Sequence, residues 1–142
     1  MQTVQQLLRA KGGQVFSVAP TDSVRHAIEV MATHHVGALL VMDRGELVGI
    51  ISERDYARKV ILMNRSSQDT TVREIMTAPA VTVSSRASVH ECMELMTARR
   101  FRHLPVIEGG RVVGVLSIGD LVKAVIEAQS AHIEQLERYI AG

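Results

Sequence analysis

The sequence predicts a mixed α/β (α+β) chain in which two tandem copies of one β-α-β-β-α unit are related by pseudo-two-fold symmetry. A seven-residue signature, Gly-x-x-Ser-x-x-Asp, occurs at Gly49–Asp55 and again 65 positions later at Gly114–Asp120. At the same offset, residues 18–61 align with 83–126 without a gap, and 14 of the 44 aligned positions are identical. Self-similarity at a fixed period indicates a duplicated structural unit.

An amphipathic helix is predicted in each copy. Apolar residues recur at helical spacing from Val24 to Met31 and from Val89 to Met96. Small polar residues with free side-chain oxygens precede both runs, as expected of helix caps. The cap candidates are Thr21 and Asp22 in the first copy, and Ser88 with Glu91, spaced as a capping box, in the second.

Each helix is followed by a predicted β-hairpin whose turn contains glycine. The predicted strands are Val15–Val18, Ala38–Met42 and Leu47–Ile51 in the first copy, and Val81–Val83, Leu104–Ile107 and Val112–Leu116 in the second. A last helix is expected from Ser52 to about Met63 in the first copy. Its counterpart begins after Ser117, and its apolar pattern continues to Ile140.

Upstream of each copy, a short segment also repeats: Thr3–Leu8 resembles Thr71–Met76 at an offset of 68. The repeat unit is therefore expected to begin near the N-terminus. We divide the chain into a first repeat at 1–63, a polar linker at 64–70, a second repeat at 71–127 and a C-terminal helical extension at 128–142.

The composition disfavours several classes of protein. A net charge of +1 provides no long-range field to attract a polyanion, and a chain without Trp offers few platforms for base stacking. The single Cys92 indicates neither a disulfide framework nor a reactive thiol. No apolar run approaches the roughly 20 residues of a membrane span, and no signal pattern is visible, so we expect a cytoplasmic protein without membrane contact.

The signature itself has two interpretations that can coexist. Ser52 and Asp55 are spaced as a capping box, which satisfies the first amides of a helix. The same geometry suits a nucleotide, because helix amides favour phosphate and a carboxylate accepts hydrogen bonds from ribose hydroxyls. Gly49 and Gly114 lie inside apolar strands, so we expect a bulge or a close approach of another backbone or a ligand there.

These motifs resemble the tandem cystathionine-beta-synthase-type (CBS) domain pair, the Bateman module, over nearly all of the chain. The resemblance rests on the two strand-helix-strand-strand-helix copies, the leading Ile75-Met76-Thr77 element, the strand Arg102–Val106 and both signatures. It implies a regulatory sensor that binds an adenosyl ligand in the cleft between the repeats. AMP is the ligand we expect; ADP, ATP, NAD(H) and S-adenosylmethionine are alternatives.

The resemblance also implies which residues bind. It pairs the signature of one copy with early and middle strands of the other. One site would use Ser52, Arg54 and Asp55 with Thr77, Val81, Phe101 and Arg102; the other would use Ser117 and Asp120 with Phe16, Val36, Gly37 and Ala38. His103 is a further binding candidate, and the site that Arg102 and His103 serve is left open. Because Gly119 stands where the first copy has Arg54, the two sites should differ in affinity or ligand.

The sequence bears on three classes of function. We favour the interpretation as a sensor over that as an enzyme. No nucleophile and base recur together, and a signature shared by two copies argues against one active centre. A nucleic-acid-binding role rests only on the basic cluster Arg99–His103. No metal site is expected, since the histidines show no repeated ligand spacing. We also expect a homodimer, and an effector protein acted on in trans. The apolar positions of 128–140 are expected to bury one face, either against a second copy or by folding back over the N-terminal helix at Val4, Leu7 and Leu8.

Overall fold

Two three-stranded sheets organise the chain in the computed structural model, which describes residues 2–141. In chain order the elements are α1 (Val4–Lys11), β1 (Ser17–Val18), α2 (Val24–His34), β2 (Ala38–Asp43), β3 (Glu46–Ser52), α3 (Glu53–Tyr56), a π-helical turn (Ala57–Ile61), α4 (Val72–Ile75), β4 (Val83–Ser84), α5 (Val89–Arg99), β5 (His103–Glu108), β6 (Arg111–Ser117) and α6 (Ile118–Ala141). The predicted β-α-β-β-α order is confirmed in both copies.

The two sheets have the same topology and register. In each, a short strand pairs in parallel with the middle strand, which pairs antiparallel with the third. Val18 pairs with Val41 in one sheet, and Val83 pairs with Val106 in the other, which are the equivalent positions 65 residues on. The duplication seen in the sequence is therefore a duplication of hydrogen-bonding pattern.

Both hairpins turn through two residues with positive φ. These are Arg44 (53°) and Gly45 (80°) between β2 and β3, and Gly109 (59°) and Gly110 (79°) between β5 and β6. Two successive left-handed residues match the right-handed twist of the flanking strands. Glycine takes this conformation without steric cost, which explains why it recurs in both turns.

The helices after the first strands are capped by equivalent serines. Ser23 Oγ accepts a hydrogen bond from the His26 amide at 3.1 Å, and Ser88 Oγ accepts one from the Glu91 amide at 3.0 Å. The prediction of Thr21 or Asp22 as the first cap is wrong, because the Asp22 carboxylate instead accepts the Ala19 amide at 2.8 Å in the preceding turn. Asp22 stabilises the approach to the helix and Ser23 begins it.

The compact units of the structure do not coincide with the repeats expected from the sequence. One compact unit contains residues 14–81, and the other combines 2–13 with 82–141. The leading segments at Thr3 and Thr71 each begin a helix with a capping box, with Gln6 and Glu74 respectively as the reciprocal acceptors. Each leading helix thus belongs to the unit built on the sheet of the other repeat.

Backbone hydrogen bonds hold these leading helices in equivalent places. The Val4 amide donates to the Ala87 carbonyl at 2.9 Å, just before α5. In the other unit, the Val24 amide at the start of α2 donates to the Thr70 carbonyl at 2.8 Å. The start of each long helix is therefore joined to the leading segment of the opposite repeat.

The last helices of the two copies differ. A helix was predicted from Ser52 to about Met63, but the α-helix ends at Tyr56 and a π-helical turn continues from Ala57 to Ile61. By contrast, α6 runs unbroken to Ala141, as its apolar pattern predicted. Among residues 2–141, no helix is both long and apolar enough to cross a bilayer.

Candidate functional site

The signature of the first copy lies where β3 passes into α3. The Ser52 amide donates to Asp55 Oδ2 at 2.9 Å, and the Asp55 amide donates to Ser52 Oγ at 3.2 Å. Ser52 Oγ also donates to Asp55 Oδ2, at 3.0 Å. The capping box predicted from the spacing is therefore formed, and it fixes the carboxylate at the strand-to-helix junction.

Two further donors from the same unit reach the other carboxylate oxygen of Asp55. Lys59 Nζ, one helical turn further on, lies 3.1 Å from Asp55 Oδ1 and also donates to the Ile75 carbonyl at 2.8 Å. Thr77 Oγ1 lies 3.5 Å from Asp55 Oδ1, at the limit of a hydrogen bond. The predicted grouping of Asp55 with Thr77 is thus present in the structure.

Thr77 is positioned by the strand that carries the signature. Its amide and carbonyl exchange two hydrogen bonds with Ile50, at 2.9 and 3.0 Å. Gly49 permits this approach, because a Cβ there would lie 2.8 Å from the Thr77 carbonyl oxygen and 2.9 Å from the Met76 sulfur. A bulge in the β2–β3 ladder accompanies it between Val41 and Met42. Both outcomes expected for a glycine inside this strand therefore occur.

The second signature repeats the cap but recruits a different cation. The Ser117 amide donates to Asp120 Oδ2 at 2.8 Å, and the Asp120 amide donates to Ser117 Oγ at 3.2 Å. Lys11, the last residue of α1, places Nζ 2.7 Å from Asp120 Oδ2 and 2.7 Å from the Val115 carbonyl. The side chains of Lys11 and Asp120 are partly exposed, at 40% and 27%.

Burial and nearby charges shift the pKa values of two groups at the second signature, Asp120 and His103. Burial alone would raise the pKa of Asp120, but hydrogen bonds from Lys11 and Ser117 outweigh it and hold the pKa of this carboxyl below its ordinary value. Burial lowers the pKa of His103, and the nearby Lys11 ammonium lowers it further, against the opposing effect of Asp120. His103 is therefore favoured as a neutral imidazole, able to donate from one nitrogen and accept at the other.

The strand residues expected at the site contact the signature of their own repeat. The Gly37 carbonyl accepts the Glu53 amide at 3.0 Å, and Ala38 pairs with Ser52. In the other unit, the Arg102 carbonyl accepts the Ile118 amide at 2.8 Å, and His103 pairs with Ser117. The expected pairing of each signature with the strands of the other repeat stays a prediction.

The remaining candidate binding residues are distributed over both compact units. Phe16 stacks on His34 with ring centroids 3.8 Å apart, which gives its ring an aromatic neighbour of its own. Val36 and Val81 are half-buried in the unit of residues 14–81, as is Phe101 in the other unit. Arg54 lies between the two signature residues Glu53 and Asp55 and is half-buried.

Sequence reasoning did not assign the two lysines that contact the signature carboxylates. For Lys59, the spacing of four residues from Asp55 on one helix was the signal that could have identified the pair. Lys11 had no such signal, because it meets Asp120 only through the docking of α1. A cavity of about 190 Å³ lies beside this pair and is also lined by Lys123 and Glu127. Among residues 2–141, no group of three or more His, Cys, Asp or Glu is arranged to hold a metal ion.

Comparison with known proteins gives consistent matches over the whole fold. The family profile "CBS domain" matches residues 12–62 and 72–127. The "CBS domain-containing protein CBSX3, mitochondrial" of Arabidopsis thaliana is 40% identical over 99% of this chain and 72% of its own length. A solved structure of a putative signal-transduction protein with CBS domains from Burkholderia ambifaria is 51% identical, with a TM-score of 0.86 over 90% of this chain and 96% of that one.

A third match was solved with ligands. The CBS domain pair of protein MJ0100, in complex with 5′-methylthioadenosine and S-adenosyl-L-methionine, is 25% identical to this chain. Its TM-score is 0.80, over 90% of this chain and 98% of that chain. Both of its ligands contain an adenosyl group.

Proposed function

This chain belongs to the CBS domain family, and from that premise we propose that it is a non-enzymatic sensor of adenosyl ligands, with AMP as the ligand we favour. One observation carries the proposal: both units place a capped Ser–Asp pair at the end of the third strand, with a lysine ammonium on the carboxylate. A carboxylate held in this way can accept hydrogen bonds from the two hydroxyls of a ribose. No step of bond making or breaking is assigned to these groups.

Cations near Asp120 favour a ligand that carries phosphate. Lys11 forms an ion pair with Asp120, in the unit that also contains Arg102. Ammonium and guanidinium groups make the strongest hydrogen bonds to phosphate oxygens. This arrangement supports AMP, with ADP, ATP or NAD(H) as larger members of the same class.

S-adenosylmethionine is the second candidate. The supporting observation is the similar CBS domain pair that was solved with S-adenosyl-L-methionine and 5′-methylthioadenosine. S-adenosylmethionine has a sulfonium and 5′-methylthioadenosine a thioether at the 5′ position, so neither offers a phosphate there for a lysine to bind. Relative affinity for AMP and 5′-methylthioadenosine therefore separates the two candidates, because both carry the same ribose diol.

The experiment combines released-ligand analysis with thermal unfolding. Mass spectrometry of small molecules released from the purified protein identifies any ligand retained. Addition of AMP should raise the unfolding temperature, because a ligand at one hundred times its Kd stabilises the folded state by about 2.7 kcal/mol. If neither AMP, NAD(H), S-adenosylmethionine nor 5′-methylthioadenosine shifts the transition at millimolar concentration, the proposal is wrong.

We further propose that the protein assembles as a homodimer and signals to an effector protein in trans within the cytoplasm. Support for self-association comes from α6, whose residues beyond Ala128 are exposed. Ile133, Leu136 and Ile140 are 54%, 48% and 83% exposed and follow one another at spacings of three and four. Because about half or more of each of these side chains is exposed, we favour self-association over the alternative that the tail folds back over α1.

A further inference from the structure

The two signature carboxylates differ in how many of their hydrogen-bond acceptor positions are used by donors of the protein itself. Asp55 accepts three hydrogen bonds: two at Oδ2, from the amide and hydroxyl of Ser52, and one at Oδ1, from Thr77 at 3.5 Å. Lys59 Nζ forms an ion pair with Oδ1 at 3.1 Å. A carboxylate offers about four acceptor positions, and at Asp55 these are taken up by the three hydrogen bonds and the ion pair. Its side chain is only 12% exposed.

Asp120 is occupied on one side only. Its Oδ2 accepts the Ser117 amide at 2.8 Å and the Lys11 ammonium at 2.7 Å. Within residues 2–141, nothing donates a hydrogen bond to Asp120 Oδ1. The side chain is 27% exposed and lines the cavity of about 190 Å³, so a ligand there need not displace a donor from Oδ1.

The two carboxylates differ because the residue four positions further along the helix is different in the two repeats. Lys59 follows Asp55 by four residues, whereas the residue four beyond Asp120 is Ala124. Lys59 is further held by the Ile75 carbonyl at 2.8 Å, so its ammonium is anchored at two points. Lys11 is also anchored at two points, but it shares the oxygen that the Ser117 amide already uses.

We propose that Lys59 is an intramolecular competitor that weakens the Asp55 site, so that a nucleoside with a free 2′,3′-diol fills the Asp120 site first. This inference rests on the proposed function, since it assumes that both carboxylates bind ribose. A ligand at Asp55 has to replace the Lys59 ion pair or the long Thr77 hydrogen bond before its hydroxyls can donate. At Asp120 the same hydroxyls find an unoccupied oxygen.

Calorimetric titration of the full chain with AMP tests the order. The wild-type protein should bind in two phases; Asp120→Asn should remove the tighter phase and Asp55→Asn the weaker one. Asparagine keeps an oxygen for the capping hydrogen bond, and a thermal unfolding curve verifies that each variant is folded. A tighter phase that is lost in Asp55→Asn, or two phases of equal affinity, overturns the inference.

The role of Lys59 is tested with only the Asp55 site intact. In the Asp120→Asn background, Lys59→Met should increase the affinity for AMP by about three- to tenfold, because a partly exposed ion pair no longer competes. Arg73→Met is the matched control: it removes one exposed positive charge from α4 of the same unit and should leave the affinity unchanged. Unchanged or weaker binding in Lys59→Met overturns the inference.

A parallel titration with 5′-methylthioadenosine should give the same order, because it carries the same diol without a phosphate. Reversed order with either ligand contradicts competition at Asp55 and leaves the proposed function intact. If the wild-type protein binds no adenosyl compound at all, the proposed function and this inference both fail.

Discussion

Leu8 occupies the space that a side chain at Gly114 would need: a Cβ at Gly114 would lie 2.6 Å from Leu8 Cδ2. Gly49 has the equivalent relationship with Met76 and with the Thr77 carbonyl oxygen, at 2.9 and 2.8 Å. Each signature glycine therefore admits the leading segment that packs on its strand. This explains why glycine recurs inside two strands whose other residues are mostly apolar and larger.

We predict that Gly49→Ala destabilises the protein more than Gly114→Ala. The methyl group at position 49 meets the carbonyl oxygen of Thr77, a residue held by two backbone hydrogen bonds to Ile50, whereas the one at 114 meets the end of a leucine side chain that can rotate. Overpacking of this kind costs about 1–3 kcal/mol, and we expect Gly49→Ala at the upper end. Thermal or urea unfolding measures the difference.

The control for these glycines is Gly119→Ala in the first turn of α6. Its nearest neighbour, Ser117 Oγ, would lie 3.6 Å from the new Cβ, which is ordinary contact. Alanine is favoured over glycine in a helix by about 0.5–1 kcal/mol, so stability should stay the same or rise slightly. Equal losses at positions 49 and 119 would show that close approach is not what selects glycine at 49.

Replacement of either signature aspartate by alanine should remove one ligand site while the protein stays folded. Hydrogen bonds to a charged group contribute about 1.5–3 kcal/mol, so affinity at the altered site should fall about ten- to a hundredfold or more. The lost cap should cost about 0.5–2 kcal/mol of stability. Titration with AMP and thermal unfolding of Asp55→Ala and Asp120→Ala separate the two effects. If a variant is largely unfolded but its folded molecules bind AMP with unchanged affinity, the signature is only a helix cap.

Stability should decline as the pH falls below about 6.5, partly because of His103. Burial first, and the Lys11 ammonium second, lower the pKa of His103 in the folded chain, so the unfolded chain binds a proton at higher pH than the folded chain does. The penalty is absent above the unfolded pKa of about 6.5 and grows until the folded pKa is passed. In His103→Gln the fall in unfolding temperature between about pH 7.5 and 5.5 should be shallower.

Exposed His132 on α6 provides the control for this pH series. Its side chain lies outside the group formed by Lys11, His103 and Asp120, so His132→Gln should retain the wild-type slope. An unchanged slope in His103→Gln would contradict the link between burial of this imidazole and acid sensitivity.

Light scattering should give twice the 15.6 kDa chain mass. If the exposed face of α6 forms the interface, Ile133→Glu combined with Leu136→Glu should give a monomer, because burial of two carboxylates in an apolar contact is costly. Glu134→Gln with Glu137→Gln, on the same helix, is the control and should remain dimeric. A monomer in the wild-type sample refutes the dimer, and a dimer in both variants places the interface on the repeats.

The repeated spacing determined the elements of the fold because secondary structure depends on local periodicity and turn chemistry. The two hairpins, the helices α2 and α5 and the long α6 were predictable from apolar spacing and glycine positions. The Ser–Asp caps were predictable for the same reason, since their hydrogen bonds span only three residues. The π-helical turn at Ala57–Ile61 was not, because its hydrogen-bonding pattern leaves no distinct apolar period.

Only the tertiary structure decided which segments pack together and which charges meet. The exchange of leading helices follows from contacts over long sequence separations, and no local pattern encodes them. Lys11 meets Asp120 across 109 residues, while Lys59 meets Asp55 within one helical turn, so only the second pair could be read from spacing. Sequence therefore determined two equivalent signatures, and folding made their carboxylates unequal, because the cation that reaches each one comes from a different part of the chain.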